Sequence, residues 1–526
     1  MDVRLPALTR MGDLIALRAA EDGRRVFLRE PETGRTLRFK DLEDATRALS
    51  RGLAAAGCAP GDRVALVYPN GIQAALAFLA VAAGGGVAVP LNPGSAAREL
   101  LFFLENTGAR YLLADETLAP DLRQKLPGLS ASRKLEGGSS LHSYHPRESH
   151  SAPPEGTALI LHTSGTTGVP KGVMLTQDNL LAECAFIRQA HRLEKDDRAL
   201  CLLPFYHING LVVTLLTPLF TGLEVVLPSR FSAGLFWDWV RKHRVTWFSA
   251  VPTIYSILLG GSLPAPETLA DVRFARSASS ALPETVLREF ERRTGIPLIE
   301  SYGISEGGSQ ITSNPLPPGI RKAGSAGLPF GNEIRLIRAD GSDAPCGLTG
   351  EVAVRGENIA AGYYENPRET AESFRDGWFF TGDLGFLDAD GYLFLQGRKK
   401  EIINRAGEKI SPREIDEILY RYPGVELAAA VGVPHDLYGE EVVAFLRMRE
   451  GQTAGEEEVK RFCAGQLLQC KIPKRVYFVA DFPKGASGKI QRAKLVDQYL
   501  KMPPAEGDSQ GNADLSGLRP EPRRGA

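Results

Sequence analysis

Residues 64–90 read VALVYPNGIQAALAFLAVAAGGGVAVP. Val64-Ala65-Leu66-Val67 is a short apolar run, Gly71 to Ala83 is long and uncharged, and Gly86 to Pro90 is short and apolar again. Short apolar runs suit buried strands and the longer one suits a helix, so this stretch predicts strand–helix–strand. No charge occurs from Gly71 to Ala97, as in a membrane span. Gly84-Gly85-Gly86 interrupts it and Pro90 follows, so a helix entering a buried strand is expected instead. Upstream, Leu42, Ala45, Leu49 and Leu53 form a helical stripe between Phe39 and Gly57, and Pro60-Gly61-Asp62 marks a turn. Strand and helix alternate to about residue 300, which predicts an α/β fold with largely parallel sheets.

The texture changes twice more. Pro127 to Pro154 is rich in Ser, His, Pro and Gly and reads as a mobile surface loop, with His142, His145 and His150 solvated on it. After Gly319, short strands such as Val352–Arg355 and Tyr392–Leu395 alternate with Gly- and Asp-containing turns, a β-rich subdomain. Arg398-Lys399-Lys400-Glu401 forms a charged junction to a small α/β segment, with a helix opened by Ser411-Pro412 and running to Tyr422. The expected organisation is a large domain over 1–397, a small mobile α/β domain over 401–502, and a disordered tail over 503–526.

Composition narrows the function. The chain has 526 residues, 62 basic and 63 acidic, for a net charge of −1. There is no global positive field for a polyanion, so nucleic acid is not expected as a partner. Hydrophobic residues at 43% and charged residues at 24% exclude wholesale disorder. Six cysteines without a CxxC pair read as reduced thiols, and MDVRLPALTRMGDL lacks a secretory signal, so a cytoplasmic protein is expected.

The segment with most chemistry is Leu161-His162-Thr163-Ser164-Gly165-Thr166-Thr167-Gly168-Val169-Pro170-Lys171-Gly172, after the apolar strand Ala158–Leu161. Four hydroxyls, three glycines and one lysine fall within ten residues. Glycines expose backbone N–H groups, hydroxyls add short donors and the lysine adds charge, which together suit the outer phosphates of a nucleotide. A plain Ser/Gly loop rarely has this density. Proline before Lys171 departs from the kinase-type phosphate loop, and no G-x-G-x-x-G follows a strand, so a dehydrogenase is disfavoured.

The hydroxyl-rich loop resembles the signature of the adenylate-forming superfamily of acyl-CoA synthetases, peptide-synthetase adenylation domains and luciferases. Further blocks follow in the family's order: Tyr302-Gly303-Ile304-Ser305-Glu306, Gly350 through Tyr363, Phe380-Thr381-Gly382-Asp383, Gly397-Arg398-Lys399-Lys400-Glu401, and Pro483 through Arg492. The resemblance spans roughly residues 10 to 500. It implies that a carboxylate attacks the α-phosphate of ATP, pyrophosphate leaves, and the acyl adenylate is passed to coenzyme A. Thr163, Ser164, Gly165, Thr166, Thr167, Gly168 and Lys171 would embrace the β- and γ-phosphates. Glu306 would hold Mg²⁺ and Ser305 would serve the α-phosphate. Tyr302, beside Gly303, would stack on adenine; Asp383 would bind the ribose hydroxyls with help from Arg398. Lys489 would bridge the carboxylate and the α-phosphate. In the family the small domain swings after adenylation, which places Lys400 at the hinge and Gly407, Glu408 and Lys409 on the face that meets CoA.

By the same resemblance the acyl pocket would lie among Pro204–Gly210, Ser249–Pro252, Ser277–Ala281 and Gly303–Gly308, with His207, Ser277, Gly303, Gly307, Gly308 and Ser309 as substrate contacts. Oxalate–CoA ligases and coumarate-type synthetases are the nearest resemblance, through Ser313–Pro317, Ile403–Pro412 and Ser487–Arg492. Oxalate ligases carry a histidine three residues after the metal glutamate, where this chain has Ser309, so a mono- or dicarboxylic acid is expected without commitment to oxalate. No aspartate lies between Pro204 and Glu224, which disfavours an α-amino acid. The expected activity is an acid–CoA ligase, as a monomer or homodimer without a membrane span. The alternative is an adenylating enzyme that loads a carrier protein or works without CoA.

Overall fold

The structure is a computed structural model and describes residues 10–135, 137–163, 170–484 and 490–502. Ser164, Gly165, Thr166, Thr167 and Gly168, expected to embrace phosphates, the lysine Lys489 and the tail 503–526 lie outside the described residues. The chain divides into two compact units at Lys400/Glu401.

The first unit holds two large sheets. The stretch that opens the reading supplies the strands Arg63–Val67 and Val87–Leu91, paired in parallel and joined by the helix Ile72–Ala83. Every residue from Ala74 to Ala82 is buried, which explains why the segment mimics a membrane span: a helix apolar all round belongs inside a core. No helix among the described residues is long and apolar enough to cross a membrane. Tyr111–Asp115 joins Arg63–Val67 in parallel, and Thr157–Thr163 joins Val87–Leu91 likewise. The sheet's outer strands are antiparallel, so it is mixed at its edges.

The second sheet has a parallel centre made of Val26–Arg29, Glu224–Val226, Arg198–Cys201, Trp247–Ala250, Phe274–Ser277 and Leu298–Tyr302. Three of these strands end at Ala250, Ser277 and Tyr302, inside the blocks expected to line the acyl pocket and nucleotide site. Open α/β sheets bind ligands outside the carboxyl ends of their parallel strands. The β-rich part is an antiparallel sheet in which Gly350–Arg355 and Leu393–Arg398 flank Trp378–Leu387.

One expectation fails. Within residues 127–154 the first half is not a solvated loop: Ser130–Leu135 and Ser139–Ser143 make a hairpin that continues the first sheet beside Tyr111–Asp115, while 145–154 stay irregular and mostly exposed. Ser139, Ser140 and His142 are buried, not solvated. The serine hydroxyls pair inside the sheet, with Tyr68 Oη donating to Ser139 Oγ at 2.8 Å and Ser132 and Ser140 hydroxyls 3.1 Å apart. Hydrogen-bonded serines therefore fill core positions that composition assigns to solvent. His145 is exposed as expected, whereas the His150 side chain is largely covered, with Nδ1 3.1 Å from Glu365 Oε2.

The second unit, from Glu401 on, is built on the long antiparallel pair Val425–His435 and Gly439–Met448, with Arg475–Phe478 added in parallel. The helix Pro412–Tyr420 starts as the sequence predicts: Ser411 Oγ accepts from Glu414 N, and Pro412 takes the first helical position. Ile415 and Leu419 from this helix pack on Ile403, Val442 and Leu446.

Candidate active site

Several segments distant in sequence meet in the first unit. Tyr302 ends its strand and donates through Oη to Asp383 Oδ2 at 2.6 Å. The other Asp383 oxygen is 3.2 Å from Arg398 Nε, across an antiparallel pair that sets Asp383 opposite Arg398. Thr381 Oγ1 accepts from Asp383 N at 3.0 Å and donates to Val352 O at 2.9 Å, which fixes the turn. Asp383 thus has a phenol on one oxygen and a cation beside the other. Burial and the adjacent carboxylate push the Tyr302 phenol far above its usual range, so it stays a donor.

The second cluster joins Glu306 and Lys171. Glu306 lies on the single turn Ser305–Gly307, half-buried, and Oε1 accepts from Tyr363 Oη at 2.8 Å. Lys171 pairs with Glu369 and sits 4.9 Å from the centre of the Tyr363 ring. Lys171 holds the Glu369 carboxyl below its ordinary range, so the pair persists through neutral pH. Thr163 faces Lys171 across the antiparallel pair of strands on either side of the phosphate loop. The strand register thus brings both ends of that loop together. Among the described residues no group of three or more His, Cys, Asp or Glu could hold a metal ion.

Gly303 and Ser309 also meet. A Cβ on Gly303 would stand 1.2 Å from Ser309 O, so only glycine fits. Ser309 is buried at φ 142°, a conformation that disfavours a side chain. Gly308, at φ 68°, lies against Glu183. Ser277 is buried at the end of its strand with no partner for Oγ among the described residues. His207 is half-buried before an irregular wide helix, Asn209–Leu216, and packs on Tyr206.

A family model for the AMP-binding enzyme matches residues 15–364, and one for the AMP-binding enzyme C-terminal domain matches residues 414–489. The chain belongs to the AMP-binding enzyme family. The sulfoacetate–CoA ligase of Cupriavidus necator is 43% identical over 92% of this chain and 97% of its own length. The oxalate–CoA ligase of Arabidopsis thaliana is 40% identical over 89% of this chain and 93% of its own. The crystal structure of ATP-bound MatB from Rhodopseudomonas palustris superposes with a TM-score of 0.84 at 30% identity, covering 93% of this chain and 99% of that one. This AMP-binding enzyme is an ATP-dependent acid–CoA ligase, and both matched modules of the family are present on one chain.

In this ligase the structure adds residues that the sequence reading passed over. Tyr363 and Glu369 complete the surroundings of Glu306 and Lys171. Arg276, Glu183, Gln310, Asn358 and His191 form a buried polar network beside the acyl blocks. Glu183 accepts from Gln310 N at 2.6 Å and from Asn358 Nδ2 at 2.8 Å. His191 Nε2 is 2.9 Å from Gln310 Oε1. Burial pushes the Glu183 carboxyl well up, the His191 imidazole down to about 3 and the Arg276 guanidinium down to about 10. The arginine therefore stays charged and the histidine neutral. A signal was available: Arg276 interrupts the otherwise apolar start of Phe274-Ala275-Arg276-Ser277.

In the second unit Gly407 occupies a two-residue turn with Ala406, at φ 91° and 51°, between Ile403–Arg405 and Glu408–Ile410. Gly407, Glu408 and Lys409 are exposed there. Lys400 is exposed as the last residue of the first unit.

Proposed function

We propose that this ligase activates a short carboxylic acid bearing a second anionic group. The observation that carries the reaction is the convergence of Tyr302, Asp383 and Arg398, with Glu306 and Lys171, from separate segments of one unit. The acid's class is supported by the relatives named for sulfoacetate and oxalate, both acids with two anionic groups. A serine at position 309 leaves more room than the histidine of oxalate ligases, which suits an anion larger than a second carboxylate.

A carboxylate resists nucleophiles because it is negative and would have to expel oxide. Its oxygen attacks the α-phosphorus of ATP, the bond to the β-phosphate breaks, and pyrophosphate leaves. The CoA sulfur then attacks the acyl carbon and AMP departs. Negative charge gathers in the first transition state, so fixed cations and donors supply most of the catalysis. Lys171 would exchange Glu369 for the outer phosphates, with Thr163, Ser164, Gly165, Thr166, Thr167 and Gly168 lining them. Asp383, oriented by Tyr302 and Arg398, would accept from the ribose hydroxyls while the Tyr302 ring meets adenine. Lys489 would draw the carboxylate and α-phosphate together, and Ser305 would donate to the α-phosphate. Glu306, a hard oxygen ligand held by Tyr363, fits Mg²⁺, which binds through one or two carboxylates and substrate phosphates. Bound there, the ion would neutralise phosphate charge. His207, Ser277, Gly303, Gly307, Gly308 and Ser309 would shape the acyl end. Lys400 would act as a pivot, and Gly407, Glu408 and Lys409 would face CoA in the thioester-forming step.

The test is to give purified protein ATP and magnesium with a panel of acids, with and without CoA. AMP and acyl-CoA should form in equal amounts, fastest with acids bearing two anionic groups. Acyl adenylate without acyl-CoA from any acid would remove the second half-reaction, and no AMP from any acid would remove the first.

A further inference from the structure

Arg276 is the third residue of the strand Phe274–Ser277, directly before Ser277 and short of the exposed Ser279. Its guanidinium is wholly buried and makes no ion pair among the described residues. Its acceptors are Ser249 Oγ at 3.1 Å, Asn209 Oδ1 at 3.3 Å, and Gln310 Oε1 at 3.3 Å from Nε and 3.2 Å from Nη2. A buried cation whose hydrogen-bond acceptors are all neutral, with the Glu183 carboxyl acting on it only at longer range, is costly to keep, so its retention calls for a purpose.

The chemistry of the donors supplies one. A guanidinium has hydrogen-bond donors and no acceptor, so any amide side chain facing it must present oxygen. Asn209 and Gln310 accordingly turn their oxygens to Arg276. Their NH₂ groups are then turned to the other side. Asn209 Nδ2 lies 3.4 Å from Ser279 Oγ, toward the exposed edge of the strand ends. Gln310 Nε2 is buried with no partner among the described residues, and so is Ser277 Oγ. Asn209 also opens the wide irregular helix Asn209–Leu216, a geometry that recurs at functional sites. Two unpartnered polar groups, sealed from solvent, and one amide bonded to a serine hydroxyl therefore stand beside a positive charge near the carboxyl ends of the parallel strands.

We propose that Arg276 is a positioning residue for substrate choice: by locking Asn209 and Gln310 with their NH₂ groups turned away from it, it builds a positive, donor-lined receptor for the second anionic group of the acid. This rests on the ligase reading above. Arg276 acts through the amides and does not touch the substrate. A carboxylate or a sulfonate would serve as the group received, since both accept several hydrogen bonds and carry one charge.

The experiment compares kcat/KM for sulfoacetate and malonate with that for propionate, an acid of similar size with one charge. The wild-type enzyme should prefer the two-anion acids. Arg276→Met removes the positive charge and its hold on both amides, leaving Asn209 Oδ1 only Ser249 Oγ and Gln310 Oε1 only His191 Nε2, and kcat/KM for those acids should fall about 100-fold, chiefly through KM, while propionate loses less than about tenfold. Arg276→Lys should recover part of the preference. Asn209→Asp and Gln310→Glu keep shape and set a carboxylate against Arg276, so they should remain folded; each removes the outward donors, and the preference should again collapse. Equal losses for all three acids, or an unchanged preference in Asn209→Asp and Gln310→Glu, would overturn the proposal even if Arg276→Met does not fold. A wild-type enzyme that converts propionate as readily as sulfoacetate would overturn it and leave the ligase reading standing. Failure to form AMP from any acid would overturn that reading itself, and the proposal with it.

Discussion

Around Asp383 and Lys171 each charged side chain meets an opposite charge: Arg398 lies beside Asp383 and Glu369 pairs with Lys171. Around Arg276 the cation meets two amides and a hydroxyl, all of them buried. The first arrangement suits groups that must trade a protein partner for a phosphate or a ribose hydroxyl. Partly exposed ion pairs are worth little, about 0–1 kcal/mol, so they exchange readily. The second arrangement suits groups that never exchange. A buried guanidinium holds neutral amides in one orientation, and the cost of leaving its N–H groups unpaired keeps them there.

The largest effect should come from Lys489→Ala. Adenylation should fall by about 10²–10³, while thioester formation from supplied acyl adenylate is largely retained. Equal loss in both steps would refute a role for the lysine confined to adenylation. Next, Asp383→Ala should raise the KM for ATP by about tenfold or more with a smaller change in kcat, because ribose binding is uniform between ground and transition states. A loss confined to kcat would break the assignment.

A third test reads the buried side through stability. Burial holds His191 neutral, with its folded pKa pushed down to about 3 from an ordinary 6.5. The unfolded chain binds a proton that the folded one refuses, so stability falls as pH drops below about 6.5 towards the folded value. The slope is about 1.4 kcal/mol per pH unit per histidine over that window. His162, likewise pushed down to about 3 by burial, adds a second such contribution. His191→Gln should flatten thermal stability between pH 4 and pH 6 by about half of what these two residues supply. An unchanged slope would mean that the histidine is protonated in the fold. The smallest effect belongs to Glu369→Gln. Releasing Lys171 from its pair should lower the KM for ATP by about threefold, in line with a partly exposed ion pair. A rise would mean that Glu369 aims the lysine instead of competing for it.

The nucleotide side was legible in the sequence because its chemistry is local. Tyr302 through Glu306 and Thr381 through Asp383 each put several functional groups on one turn, and their order along the chain repeated a family pattern. The acyl side was legible only as blocks. Ser277 was singled out while its neighbour Arg276 was passed over, because a lone arginine in a short strand says nothing about its partners. Those partners, Asn209, Ser249 and Gln310, lie between 27 and 67 residues away. The misread hairpin at Ser130–Ser143 has the same cause: whether a serine faces solvent or Tyr68 depends on a residue some seventy positions distant.

By itself, then, the sequence determined the α/β alternation, the uncharged helix Ile72–Ala83 with its flanking strands, and the ordered motif blocks that mark the family. These follow from short-range periodicity and from side-chain chemistry that no packing alters. Tertiary structure alone decided which polar groups are buried and what they face. Hydrogen-bond partners and local polarity are set by chain segments brought together from afar, and so the burial of Arg276 among neutral acceptors and the lowered pKa of His191 arise only in the folded chain.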